Sequence, residues 1–324
     1  MGFFDAALAN LLTPMILAFG LGLGAGILRS DLSIPEAIGK AMAVYLMFAI
    51  GLKGGVAVNQ QGVGVDLVLA LIVGALLSFF LPFLAVALIR ILSPATDVAT
   101  RAAVAAHYGS ISVVTFFTAA EFLRLSGVVF EGFMVAVVAL METPAIIAGL
   151  WIARRGGVGS RVSNSSSLYR EVLLNGSVVL LPGAFVIGWI VGPVGEGDVK
   201  AFFDAPFKGV LTLFLLDMGL LAASRIRQAC GIPPGLVVYG IVMPVLSAAI
   251  GGVLGVLIGL STGGVVLLAV LSASASYIAV PAAMRLALPQ ANPGVYVTLS
   301  LAVTFPFNVV IGIPLYLWVA ETLL

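Results

Sequence analysis

Glu142 is the acid of this sequence most in need of a chemical role. It stands in Met141-Glu142-Thr143-Pro144-Ala145, near the middle of an apolar run from about 131 to 153. A charged side chain at bilayer depth costs about 2.5–3.5 kcal/mol even on the lenient insertion scale. Such an acid coordinates sodium or relays a proton, or else is a protonated or arginine-paired structural group. Asn308, four residues beyond Thr304, can add an oxygen ligand. Asp217 lies among Leu215, Leu216 and Met218, where a structural role is as reasonable as a functional one.

Two further segments place small hydroxyl residues beside a glycine or proline inside apolar runs. One is His107-Tyr108-Gly109-Ser110-Ile111-Ser112-Val113-Val114-Thr115; the other is Ser272-Ala273-Ser274-Ala275-Ser276-Tyr277-Ile278-Ala279-Val280-Pro281. Interruptions at matching positions point to partly unwound helices that cross at mid-membrane. Freed N–H groups and the positive ends of half-helices favour an anion, and freed carbonyls favour a cation. The plainer alternative is close helix packing by small residues. His107 is either a titrating group or a hydrogen-bonded packing residue. Lys53, in Gly51-Leu52-Lys53-Gly54-Gly55, is expected near the outer face, snorkelling to headgroups or steering an anion.

These residues need apolar elements to hold them. The chain has 324 residues, 61% hydrophobic and 9% charged, with mean hydropathy +1.22. A soluble domain carries roughly 25% charge, so this is an integral membrane protein, and soluble enzymes and nucleic-acid binders are excluded. One cysteine, Cys230, precludes an internal disulfide, and one histidine leaves little material for a zinc or haem site. No nucleophile and base pair marks an enzyme.

Gly, Pro and charge divide the chain into ten apolar runs: 11–28, 34–52, 66–92, 101–122, 131–153, 171–192, 202–223, 235–259, 263–286 and 295–320. The first reads as a retained helix and not a cleaved signal. A polar linker, 154–170, Ser-rich with four arginines, separates residues 1–153 from 171–324, five runs each. With that linker cytoplasmic, Arg29, Lys40, Arg90, Arg101, Arg154, Arg155, Arg161, Arg170, Arg225, Arg227 and Arg285 fall on or near the inner face. Only Lys53, Arg124, Lys200 and Lys208 fall outside, and both termini are then outside. Five spans per half make the halves inverted. Gly51 matches Gly219, Ser110-Ile111-Ser112 matches Ser274-Ala275-Ser276, and Glu142-Thr143-Pro144 matches Thr304-Phe305-Pro306, in order. Inverted repeats with broken helices are the architecture of secondary transporters.

In this order the motifs resemble the cyanobacterial-type sodium-dependent bicarbonate transporter family. Ser33-Ile34-Pro35-Glu36-Ala37-Ile38 and Ile50-Gly51-Leu52-Lys53-Gly54-Gly55 look like its I-P-E-A-I and I-G-L-x-G-G. Gly109 to Thr115 is similar to its G-x-x-S-x-x-T, Met141 to Ala145 to its M-D-I-P-A, and Pro289-Gln290-Ala291-Asn292-Pro293 to its P-S-A-N-P. The resemblance implies an all-α trimer of ten-helix protomers, with a gate domain (spans 1, 2, 6 and 7) and a core domain (spans 3–5 and 8–10). The fold would be like that of bile-acid symporters and sodium/proton antiporters, in the bacterial inner membrane. Gly109, Ser110, Ser112, Thr115, Ser274, Ser276 and Tyr277 would line an anion site where spans four and nine cross. A nucleotide-sensing protein related to PII would close the cytoplasmic face.

The family's S-S-S-D-I-S-G-P-P is here Ser274-Ala275-Ser276-Tyr277-Ile278-Ala279-Val280-Pro281-Ala282, without its acid. A sodium site would then rest on Glu142, Ser272 and Asn308 with backbone carbonyls, or be absent. Three functions follow as expectations: sodium-coupled bicarbonate uptake; sodium- or proton-coupled transport of another small anion such as a carboxylate; or a non-transporting sensor or scaffold of the same fold.

Overall fold

The computed structural model describes residues 3–158, 174, 176–197, 199–228 and 232–324. Most of the linker expected at 154–170 lies outside the described residues, as does Cys230. Every regular element among the described residues is a helix. The first half has α1 (Phe3–Leu11), α2 (Pro14–Ile27), α3 (Glu36–Gln61), α4 (Val65–Leu92), α5 (Val98–Gly109), α6 (Val113–Leu125), α7 (Met134–Leu140) and α8 (Glu142–Arg155). The second has α9 (Gly176–Gly197), α10 (Lys200–Asp204), α11 (Phe207–Gln228), α12 (Pro234–Leu257), α13 (Thr262–Ala273), α14 (Ala279–Ala287) and the long α15 (Pro293–Leu323).

Among the described residues, eight continuous or broken helices are long and apolar enough to cross a membrane. The expected runs 11–28 and 263–286 come out shorter, for local reasons. Thr13 caps α2 by accepting from Ile16 N, and Pro14 occupies the first turn, so the residues before it form a separate helix, α1. The other run stops at Ala273 and restarts at Ala279. In the opposite direction, α3 continues to Gln61, well past the expected end at 52.

Glycine sets the closest helix pairs. Gly55 and Gly51 of α3 meet the backbone of α9 at Phe185 and Leu181, and Gly22 of α2 meets the backbone of α11 at Leu216. A Cβ at any of the three would collide with main chain, so these helices are packed backbone to backbone. Around the other centre, α4, α5 and α8 pack together, α12 lies along α13, and α13 touches α6 and α15. The α5–α6 pair and α13 are buried over nearly their whole length.

The last helix departs from α geometry at Leu299–Thr304 and Asn308–Gly312, which are π-helical. Pro306 and Pro314 follow these stretches. Each ring removes an N–H and crowds the carbonyl four residues earlier, and π turns absorb that mismatch without ending the helix. Asn10 of α1 donates to two carbonyls at this turn, Val309 O at 2.9 Å and Val310 O at 3.4 Å.

Candidate functional site

The centre of the molecule is a pair of helix breaks tied to one another. Helix α5 ends at Gly109, Ser110 and Ser112 are extended, and α6 restarts with the Ser112 hydroxyl accepting from Thr115 N at 3.2 Å. Helix α13 ends at Ala273, Ser274 is extended, and α14 restarts at Ala279. Backbone groups left over at one break are satisfied by the other. Ser276 N donates to His107 O at 2.8 Å, and Ser112 N donates to the Ser274 hydroxyl at 2.9 Å. Unpaired buried backbone groups are costly, so these two bonds fix the register of the breaks.

A third break carries Glu142. The Ser78 hydroxyl of α4 donates to Met141 O at 2.5 Å and accepts from Ala145 N at 3.2 Å. It is thus inserted into a pair that an unbroken helix would bond directly, and Pro144 removes the neighbouring donor. The chain turns there, α7 giving way to α8, and Glu142 is left 3% exposed at the start of α8.

Glu142 shares a cavity with Ser112, Ser276, Tyr277 and Ala279, and Met47 of α3 also lines it. The free volume is about 10 Å³, the room of a single water-sized species. Two helix N-termini, those of α6 and α14, open onto it through Val113 and Ala279. The first N–H groups of a helix have no intrahelical acceptor, and each end carries roughly half a positive charge. The cavity therefore combines two anion-favouring ends with one carboxyl group.

The remaining sequence candidates, Ser272 and Asn308 of the expected sodium site among them, do not line this cavity. Gly109 lies against Pro82 and Ser78 O of α4, where no side chain fits. The Ser110 hydroxyl is buried without a partner among the described residues. Thr115 is buried one turn into α6, its N–H on Ser112. Ser274 donates to Leu271 O. Ser272 donates to Leu268 O and faces Gly251 of α12. Asn308 donates to Ala273 O at 2.8 Å and accepts from Tyr316 at 2.9 Å, so it braces the end of α13. His107 is fully buried, with Nδ1–H on Ala103 O at 2.7 Å and its ring 4.5 Å from that of Tyr296. Tyr108 donates to Thr304, which donates to Gly240 O.

Lys53 corrects the expectation of a snorkelling residue. Because α3 runs on to Gln61, Lys53 is inside the helix, paired with Asp204 at 2.5 Å and lying over the Phe207 ring. Two residues escaped the sequence reading. Glu121 of α6 is 2% exposed and pairs with Lys208 of α11 at 2.9 Å, a contact the sequence does not announce. Ser78 looked like an ordinary small residue in an apolar helix; Pro144 in the facing run was the available signal.

No curated protein matches the chain. A family model, the Na+-dependent bicarbonate transporter superfamily, matches residues 14–321. That span takes in α2 to α14 and all but the last two residues of α15, including all three breaks and the cavity between them, and by it the chain belongs to the Na+-dependent bicarbonate transporter superfamily.

Proposed function

We propose that the protein is a secondary transporter that carries bicarbonate into the cell together with sodium. The carrying observation is the cavity that puts Glu142 beside the N-termini of α6 and α14. Two helix ends at roughly +0.5 each face this one carboxyl group. An anion entering alone meets the Glu142 charge. Sodium on Glu142 cancels that repulsion and leaves the helix ends and the Ser112 and Ser276 hydroxyls for the anion. Each ion thus improves the site for the other, and thermodynamic linkage makes that coupling reciprocal. With one sodium per bicarbonate the membrane potential, worth about 2.3 kcal/mol per charge per 100 mV, cancels and the sodium ratio drives uptake.

Bicarbonate is larger than the present cavity, so it enters only when α3 withdraws Met47. This supports movement of a core (α4–α8 and α12–α15) against a gate (α2, α3 and α9–α11). Inverted five-span halves are supported by equivalent contacts. Gly51 on the second span meets the sixth, and its match Gly219 on the seventh meets the first at Phe19 O. Both Ser-x-Ser matches lie at helix breaks, and Pro82 of α4 has Pro244 of α12 as its counterpart. The gate and core, a cytoplasmic linker with external termini, the inner membrane, a trimer and a PII-like partner at the cytoplasmic face complete the proposal. Uptake of labelled bicarbonate into proteoliposomes with and without an inward sodium gradient tests it. Sodium-independent flux, or none, overturns it; uptake of a larger carboxylate alone would move the cargo and keep the mechanism.

A further inference from the structure

A second, larger space lies apart from the Glu142 cavity. It is a cleft of about 460 Å³ between α3 and the α6–α7 connection, lined by Lys53, Gln61, Phe116, Arg124 and Phe130 among others. Both charged residues on its wall are cations. The acids nearby are already engaged: Asp204 holds Lys53 at 2.5 Å, and Glu121 holds Lys208 at 2.9 Å. Arg124 reaches Glu121 only at 3.7 Å, longer than a hydrogen bond, and its guanidinium lies over the Phe130 ring at 5.6 Å. Of Lys53, Lys208 and Arg124, the cation held least tightly by an acid is Arg124, 38% exposed. Glu131, in the same connection, is turned away, accepting from Ser261 N at 2.6 Å at the start of α13.

We propose that this cleft is an anion-loading site: Arg124 holds a small carboxylate-like monoanion through its planar fork, with Lys53 adding field, before the anion passes to the Glu142 cavity. A guanidinium matches a planar three-atom O–C–O group in two parallel bonds, which a lysine cannot do. Low-dielectric walls focus the field of a like-signed cleft and raise the local concentration of the opposite ion. The site rests on the transport reading for its purpose but not for its existence.

Gln61→Cys on a Cys230→Ser background places a thiol at the rim of the cleft. In detergent, a negatively charged methanethiosulfonate is expected to label it about threefold or more faster than a positively charged one, each relative to a free thiol. Bicarbonate or formate, exchanged for chloride at constant ionic strength, slows the anionic reagent. Arg124→Gln abolishes both the preference and the protection; Arg124→Lys keeps the preference and loses the protection. Charge preference and protection unchanged in Arg124→Gln overturn the proposal. In proteoliposomes Arg124→Gln raises half-saturating bicarbonate by about fivefold with the maximal rate within about twofold, and an unchanged half-saturation likewise overturns it. If the parent protein moves no bicarbonate, the transport reading fails while the labelling still decides the cleft.

Discussion

Replacing Glu142 with Gln keeps the shape of the side chain and removes its charge. The balance between that charge and the ends of α6 and α14 then shifts toward anions. Glu142→Gln is expected to bind bicarbonate without sodium and to lose sodium-driven uptake by about tenfold or more, since a coupling of 1–3 kcal/mol disappears. Calorimetric titration of bicarbonate with and without sodium reads the first effect and vesicle uptake the second. Glu121 behaves differently, because its charge faces Lys208 and not the cavity. Lys208 is 62% exposed and can return to water, so Glu121→Ala should cost only about 1 kcal/mol, read as a lower melting temperature.

At the scale of elements, the breaks depend on single hydroxyls and on contacts too close for a side chain. Gly109→Val forces a Cβ and two methyls into Pro82 and should destabilise by about 1–3 kcal/mol through overpacking. Ser78→Ala removes both bonds that close the α7–α8 turn, at about 1–3 kcal/mol for buried groups left unmade, and turns Glu142 from its position. Thermal unfolding checks both, and Ser78→Thr, which keeps the hydroxyl, should restore sodium stimulation where Ser78→Ala loses it. Much of this scale was legible in the sequence. Gly109 with Ser110 and Ser112, and Ser274 with Ser276, mark the two breaks because lipid-facing helices have little use for such residues. What was not legible depended on distant partners. Lys53 read as the end of a helix because charge interrupts hydropathy, while Asp204, which lets it stay inside, sits on another element. Glu121 went unnoticed for the same reason, since its partner Lys208 is on α11. The π turns of α15 had a signal in Pro306 and Pro314, but proline spacing alone does not separate a π turn from a kink.

For the whole molecule, the central claim is that α3 and its partners move relative to the two broken helices and that sodium and bicarbonate move together when they do. Met47 and Ile278 line the same small cavity from the two sides. A Met47→Cys, Ile278→Cys pair on the Cys230→Ser background, joined by a short bifunctional thiol reagent, should therefore stop uptake, and reduction should restore it. Apolar composition made a bundle of membrane-length helices readable in advance, whereas the small cavity that Met47 and Glu142 share depends on how α3 packs on the breaks. The most direct measurement is initial uptake of labelled bicarbonate into proteoliposomes under an inward sodium gradient, with an equal potassium gradient as control, for the parent protein and Glu142→Gln. Sodium-dependent uptake by the parent and its loss in Glu142→Gln are the predicted results; uptake equal under both cations, or retained with full sodium dependence in Glu142→Gln, would contradict the coupling through Glu142.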